Sequence, residues 1–402
     1  MGAQLDRRSF LRMTAMAAGA VAAPTLLRGS VAAAPMGAPG TAGPVPYGPL
    51  GAANADGIQL PAGFTSRLIA TSGANVTGTG LVWPSNPDGG ACTPRTGGGW
   101  LYLANGEASG GLGGVAAVAF DPAGAIVDAY PILTGTTRSC SGSMTPWGTY
   151  LSGEENPTGR VFECNPQARS QGVHRPLLGS FHHEMIAVDP RTGAVYMVED
   201  QPLGRLYRFV PTRPGDLSAG ALFAAVVARG RVWWVPASTT APDRSAATTA
   251  FNGGEGAWIM HDALYFTTKG DVRVWRLQLT TNELSVVFDA MALASAGTPL
   301  TAVDNLVGLE GSGELFVAED GGNMEVCVVG TVGAPAATPF LRFVGHDASE
   351  VTGVAFSPDE TRLYVSSQRG IDGVTGRTYE ITGPFHRAAV RRRQPAPRRR
   401  WH

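Results

Sequence analysis

Six times along the chain a short apolar stretch centred on one aromatic residue returns, and this recurrence limits the fold more than any other feature. The stretches are Trp100-Leu101-Tyr102-Leu103, Thr149-Tyr150-Leu151, Val195-Tyr196-Met197-Val198, Leu264-Tyr265-Phe266, Leu315-Phe316-Val317 and Leu363-Tyr364-Val365. Their central aromatics lie 48, 46, 69, 51 and 48 residues apart. Each is preceded by another apolar stretch and a turn, as at Asp189-Pro190-Arg191-Thr192-Gly193 or Ser357-Pro358-Asp359. A period of about fifty residues built from short strands and turns specifies one antiparallel sheet per repeat, hence an all-β, six-bladed β-propeller. Val115 to Phe120, Leu206 to Val210, Val272 to Leu277 and Cys327 to Val329 supply further strands for four-stranded blades. The longest interval implies an insertion, which the sequence assigns to Pro236 to Thr249. A β-sandwich would leave the even spacing without a cause.

Composition agrees with this architecture. Only 16% of the 402 residues are charged and 54 are glycine, which suits tight turns better than long surface helices. Lys269 is the only lysine, and its rarity by itself assigns no function. The net charge of −1 conceals a segregation: residues 1–34 carry +3 and residues 386–402 carry +7, which leaves the middle at −11. The folded part therefore favours cations and excludes nucleic acid as a partner.

Four segments follow. Residues 1–34 open with Asp6-Arg7-Arg8-Ser9-Phe10-Leu11-Arg12 and an apolar run to Leu27, the pattern of a twin-arginine signal peptide. Cleavage is expected between Ala23 and Ala34, with delivery to the periplasm, cell wall or outside; the run is too short and small for a stable membrane span. Residues 35–56 read as a Pro/Gly/Ala-rich linker, 57–385 as one propeller domain, and 386–402 as an arginine-rich tail unable to bury a core. The expected partners are the twin-arginine export machinery and a small substrate, with the protein acting as a monomer. That route exports folded protein, so a cofactor can be inserted before export. Cys92, Cys140, Cys164 and Cys327 show neither a disulfide framework nor a zinc spacing.

Position within the repeat is the main clue to chemistry. Cys140, Glu184, Glu255, Asn305 with Asp304, and Glu350 precede their central aromatics by 10, 12, 10, 11 and 14 residues, counting from Asn305 in its blade. In a propeller the first strand of each blade starts at the axial channel, so these side chains from five blades converge at one mouth. Converging carboxylates resist ionising unless a cation compensates them. Oxygen ligands suit calcium, and a thiolate among them adds a transition metal such as iron or zinc. A second set follows the aromatics: Asn105 with Glu107, Glu154-Glu155, Glu199-Asp200 and Glu319-Asp320. These fit either metal ligation or turn and inter-blade contacts. No Gly-x-Ser-x-Gly elbow or nucleotide-binding glycine motif occurs, and His182-His183 lacks a zinc-ligand spacing.

The segment Ser139-Cys140-Ser141-Gly142-Ser143-Met144-Thr145-Pro146-Trp147-Gly148-Thr149-Tyr150, continuing to Glu154-Glu155-Asn156, resembles the signature of PhoX-type alkaline phosphatases. Tyr47-Gly48-Pro49-Leu50, His183-Glu184, Leu206-Tyr207-Arg208-Phe209, Glu255-Gly256, Asp304-Asn305-Leu306 and Glu350 to Pro358 extend the resemblance over residues 47–385. It implies an exported propeller that holds iron and calcium axially and hydrolyses phosphate monoesters. By motif position it implies Cys140, Glu184 and Glu255 as iron ligands, and Asn105, Glu155, Asp304, Glu319 and Glu350 on the calcium side. One motif departs from the family. Where related phosphatases tend to read Arg-Pro-Glu, this chain reads Gly253-Gly254-Glu255, so a bidentate phosphate clamp is missing there and Arg138 or Arg369 is left to supply it.

The expected mechanism has the metal cluster bind phosphate oxygens, neutralise transition-state charge and provide the nucleophile, with Glu255 essential and no side-chain triad. Two other readings stay open on the sequence: a metal-stabilised propeller that only binds, and a calcium-dependent hydrolase of lactones or other esters.

Overall fold

The computed structural model describes residues 47–293, 298–331 and 336–386. The expected signal peptide, residues 35–46 of the expected linker and all but the first residue of the arginine-rich tail lie outside the described residues. Six antiparallel sheets form a six-bladed β-propeller. Blade 1 contains Pro87–Pro94, Trp100–Gly106, Gly113–Phe120 and Ile126–Thr136, and blade 2 contains Ser139–Met144, Tyr150–Glu154, Val161–Cys164 and Val173–His174. Blade 3 runs from His183–Val188 through Val195–Glu199, Leu206–Pro211 and Gly220–Ala228 to a fifth strand, Arg231–Pro236. Blade 4 holds Gly254–Met260, Ala263–Thr268, Arg273–Gln278 and Leu284–Asp289. Blade 5 begins with Leu306–Leu309, Glu314–Ala318, Glu325–Gly330 and Ala337–Phe343, and blade 6 with Val351–Phe356, Arg362–Ser367 and Arg377–Thr382.

The N-terminal segment completes the last two blades. Ile58–Gln59 pairs with Ala337–Phe343 of blade 5, and Thr65–Thr71 pairs with Arg377–Thr382 as the outer strand of blade 6. Closure therefore ties sequence-distant strands together, with Thr65–Thr71 as the outer edge of the last blade. First strands of neighbouring blades touch all the way round the ring. They are the axial strands.

All six aromatic centres fall in second strands, flanked by a neighbouring blade on each side. That packing explains why the stretches read as unbroken apolar runs instead of alternating ones. In Trp100–Gly106 the even-numbered residues Trp100, Tyr102 and Ala104 join a core with Trp83, Phe120 and Tyr364, whereas Leu101 and Leu103 join one with Tyr130 and Tyr150. Tyr102 and Tyr364 stack at 4.4 Å across the blade 1 and 6 boundary. Burying each such side chain contributes on the order of 1.5–3 kcal/mol.

Two boundaries differ from the sequence reading. Residues 47–56, assigned to the linker, contain Tyr47, which packs on Phe64, Phe316, Phe340 and Phe385 and donates to Glu314 Oε2 at 2.8 Å. Proline and glycine content hid a single anchoring aromatic. The insertion in blade 3 begins earlier than expected, because Arg231–Pro236 is a further strand before the irregular stretch. Among the described residues, no helix is long and apolar enough to cross a membrane.

Candidate metal centre

The axial mouth is closed by hydrogen bonds between consecutive blades. Arg138 N donates to Ala108 O at 2.8 Å between blades 1 and 2, and Gly253 N to Gln201 O at 2.9 Å between blades 3 and 4. Gly256 N donates to Asp304 O at 3.1 Å and Val351 N to Glu319 O at 2.9 Å at the next two boundaries. Glu155 and His182 form a bridge between blades 2 and 3, and Thr352 Oγ1 donates to Pro87 O at 2.8 Å between blades 6 and 1. Side chains at this level are thus carried by a ring whose members hold one another in register.

A β-bulge then turns them inward. The first strand is irregular between Pro87 and Gly90, Ser139 and Gly142, His183 and Ile186, Gly254 and Ala257, and Thr352 and Ala355. Bulges bend a strand and re-aim the residues inside them. Asp88, Cys140, Glu184 and Glu255 all lie within these irregularities and are buried. Small residues permit the approach: a Cβ on Gly89 would lie 1.8 Å from Ser141 Oγ of the next blade.

The result is a continuous set of possible ligands. Ligand atoms of Asp88, Glu107 and Cys140 lie within 4.8 Å of one another, as do those of Cys140, Glu155 and Glu184. The same limit of 4.8 Å joins Asp88, Glu184 and Asp304, and also Glu184, Asp200 and Glu255. Cys140 Sγ donates to Glu184 Oε1 at 3.1 Å. Gln368 Nε2 donates to Asp88 Oδ2 at 2.6 Å and to Glu107 Oε2 at 3.0 Å.

Electrostatics carry the same message. Burial and Glu107 raise the Asp88 carboxyl to about 7, against opposing hydrogen bonds from Gly89, Gln368 and Cys140. Burial also raises Glu184, with Glu255, Glu155, Asp88 and Asp304 adding to it, and raises Asp304 together with Asp88 and Asp320. Glu255 is raised by burial and Asp200, and Lys269 opposes them. Burial and the nearby carboxylates raise the Cys140 thiol as well. These groups favour their neutral forms without a cation, and a bound metal would reverse that preference.

The donor set fits an ion. Glu255 Oε1 is buried and accepts no directed hydrogen bond, although the Lys269 ammonium contacts it at 2.5 Å. One thiol within carboxylates suits a transition metal at the Cys140 end, and the oxygen-only grouping of Asp88, Glu184 and Asp304 suits a hard cation such as calcium.

The expected residues divide into two sets. Cys140, Glu184, Glu255, Glu155 and Asp304 meet in the clusters. Glu350 is buried nearby, is raised by burial and Asp320, and accepts from Arg369 Nη2 at 2.8 Å. Arg138 pairs with both Glu107 and Glu155, so both expected arginines border the mouth, with side chains 27% and 28% exposed for Arg138 and Arg369.

Asn105 and Glu319 do not join these clusters. Asn105 Oδ1 accepts from Tyr150 OH at 2.8 Å and its Nδ2 donates to Ser152 Oγ at 3.1 Å, which pins blade 1 to blade 2. Glu319 accepts from Thr301 N at 2.7 Å and Glu325 N at 3.0 Å, holding a turn. In the adjacent pairs strand alternation explains the outcome, because the axial residues are the later members, Glu155, Asp200 and Asp320; Glu107 lies just past the end of the strand Trp100–Gly106 that holds Asn105. Asp88 was missed although the signal was present: it lies 14 residues before Tyr102, the offset of Glu350 from Tyr364.

A groove of about 620 Å³ lined by Met260, His261, Asp262, Glu310 and Gly313 lies at the far end of the first strand of blade 4 and contains none of these ligands. The clustered carboxylates and Cys140 are at the axis.

Comparison with known proteins agrees with the sequence resemblance. The family model for alkaline phosphatase PhoX matches residues 124–162 and 157–262. The solved structure of Pseudomonas fluorescens PhoX in complex with vanadate, a transition state analogue, aligns with a TM-score of 0.67 and 17% identity, over 84% of this chain and 98% of that one. XC5397 from Xanthomonas campestris, a gluconolactonase, aligns with a TM-score of 0.53 and 12% identity, over 84% of this chain and 98% of that one. None of the curated proteins matches the chain in sequence. At these identities the two structures establish a shared propeller fold, and the family match adds the PhoX relationship over the segment that carries Cys140, Glu155, Glu184, Asp200 and Glu255.

Proposed function

We propose that this chain, similar in sequence and fold to alkaline phosphatase PhoX, is an exported metal-dependent phosphatase acting on phosphate monoesters at the axial mouth. The observation that carries this reading is the buried cluster of Cys140, Glu155 and Glu184, which lies inside the segment matched by the PhoX family model. Cys140, Glu184 and Glu255 would hold iron, with Glu155, Asp304 and Glu350 on the calcium side. Asp88 and Glu107 extend the donor set.

A bound metal supplies Lewis acidity toward the phosphoryl oxygens. Arg138 and Arg369 border the mouth on either side of blade 1, half-buried, and would bind phosphate oxygens there. Each is held by carboxylates, Arg138 by Glu107 and Glu155 and Arg369 by Glu350, which fixes the guanidinium before substrate arrives. Gln368 locks Asp88 and Glu107 in one arrangement through a single amide. The twin-arginine signal supports folding and metal loading before export.

Replacing Glu255 by Gln is expected to abolish hydrolysis of p-nitrophenyl phosphate and to lower metal content. Full hydrolysis by that variant would overturn the proposal.

Hydrolysis of lactones at a calcium site is the second reading. The oxygen-only cluster of Asp88, Glu184 and Asp304 and the glycine at 253 favour it, as does the fold shared with a gluconolactonase. Assaying phosphate monoesters, diesters and lactones with and without calcium separates the readings, and turnover of lactones alone selects the second.

A further inference from the structure

The residue that follows the second strand in five blades, and the second residue after it in blade 5, forms an upper tier of the mouth. Gly106 pairs with Pro87, Glu154 with Ser139, Glu199 with His183, Thr268 with Gly254 and Ser367 with Val351. The next residues are Glu107, Glu155, Asp200, Lys269 and Gln368, and blade 5 contributes Asp320 four residues after its central aromatic, the same offset as Asp200 and Lys269. Four blades thus offer a carboxylate at this level. Blade 4 alone offers a cation, and it is the only lysine in the chain.

Lys269 Nζ lies 2.5 Å from Glu255 Oε1, 2.8 Å from Asp200 Oδ2 and 3.6 Å from Asp320 Oδ2. Those carboxylates come from blades 3, 4 and 5. Asp200 and Glu255 are also two of the three members of the cluster completed by Glu184. The ammonium therefore sits where carboxylates of three blades converge. Three carboxyl groups around one ammonium leave it little attraction for a phosphate, so its role is that of a counter-ion.

Its stem is confined as well. Gly253 has φ +66°, and a Cβ there would lie 2.7 Å from Lys269 Cγ. Any side chain at 253 would compete for the space that the lysine occupies.

We propose that Lys269 is a tethered cation that occupies the blade 3 to 5 side of the mouth in place of a divalent ion. It confines metal to the Cys140 side, and removing its charge opens one additional divalent site formed by Asp200, Glu255 and Asp320. The inference rests on the metal-centre reading above.

The test is calcium stoichiometry of the full chain, measured by isothermal titration and by elemental analysis after dialysis against calcium, for the wild type, Lys269→Met and Lys269→Arg. The expected result is one more calcium per chain in K269M than in the wild type, with K269R unchanged. Equal stoichiometry in wild type and K269M overturns the inference while leaving the metal centre intact. Absence of calcium from all three overturns both, and uptake by K269M alone supports this inference against the wider reading. Should K269M be unfolded without metal, refolding on calcium addition supports the tethered-cation role. Failure to refold at any calcium concentration overturns it.

Discussion

Cys140 Sγ donates to Glu184 Oε1 at 3.1 Å across the boundary between blades 2 and 3, joining a soft donor to a hard one at the axis. In the proposed metal centre this pair would decide which ion the mouth prefers. Cys140→Ser keeps a small polar group but removes the thiolate, so bound metal is expected to shift from iron toward calcium. Elemental analysis of protein purified from its export pathway checks this, and an unchanged iron content would detach Cys140 from the metal.

Chelation adds a pH dependence with a defined sign. Burial and Glu107 raise Asp88 from 3.8 to about 7, so the folded state holds this proton more tightly than the unfolded chain does. A raised carboxyl contributes no loss below its unfolded value and destabilises the metal-free fold progressively as pH rises through the folded one. Metal binding needs the ionised form and removes that loss. The Tm gap between metal-loaded and chelated protein is therefore expected to widen from pH 3.8 to about 7. Thermal scans over that range would show a constant gap if the carboxylates were not coupled to an ion.

Much of this arrangement was legible in the sequence because propeller blades repeat. The central aromatics gave the second strands, and counting back from them located Cys140, Glu184 and Glu255, since bulged first strands begin at a nearly constant distance. Asp88 was hidden by its context, Asn86-Pro87-Asp88-Gly89-Gly90, which reads as a turn although it is strand. The second set was ambiguous for a different reason. Adjacent residues point to opposite sides of a strand, and composition alone does not tell which of Glu319 and Asp320 faces the axis. Nor does sequence reveal that Lys269 reaches Asp200 and Asp320, because three blades must close before those side chains meet.

Gly253→Arg tests the close approach at the Lys269 stem. The backbone there has φ +66°, a left-handed conformation that any residue with a Cβ adopts at a cost, and the added Cβ would meet Lys269 Cγ at 2.7 Å. The variant is expected to lose about 1–3 kcal/mol in denaturant unfolding. Combining it with Lys269→Ala should recover part of that loss. An unaltered midpoint for the single variant would mean the stem moves aside freely.

Glu199 and Asp200 are neighbours with separate duties, and isosteric amides distinguish them. Glu199 is fully buried, accepts from Arg205 N at 3.1 Å and Tyr207 OH at 3.2 Å, and pairs with Arg244 at 2.5 Å, so it holds the insertion of blade 3 against the sheet. Asp200 faces the axis with Glu184 and Glu255. Glu199→Gln is expected to cost about 1–3 kcal/mol, because a hydrogen-bonded charge is lost from a buried network, and to leave metal content intact. Asp200→Asn is expected to do the reverse in the Lys269→Met background, removing the additional calcium of that variant while leaving its unfolding midpoint nearly unchanged, since neutralising one of several crowded carboxylates relieves repulsion. Parallel denaturation and elemental analysis of the two variants would refute the division of roles if both properties moved together in each.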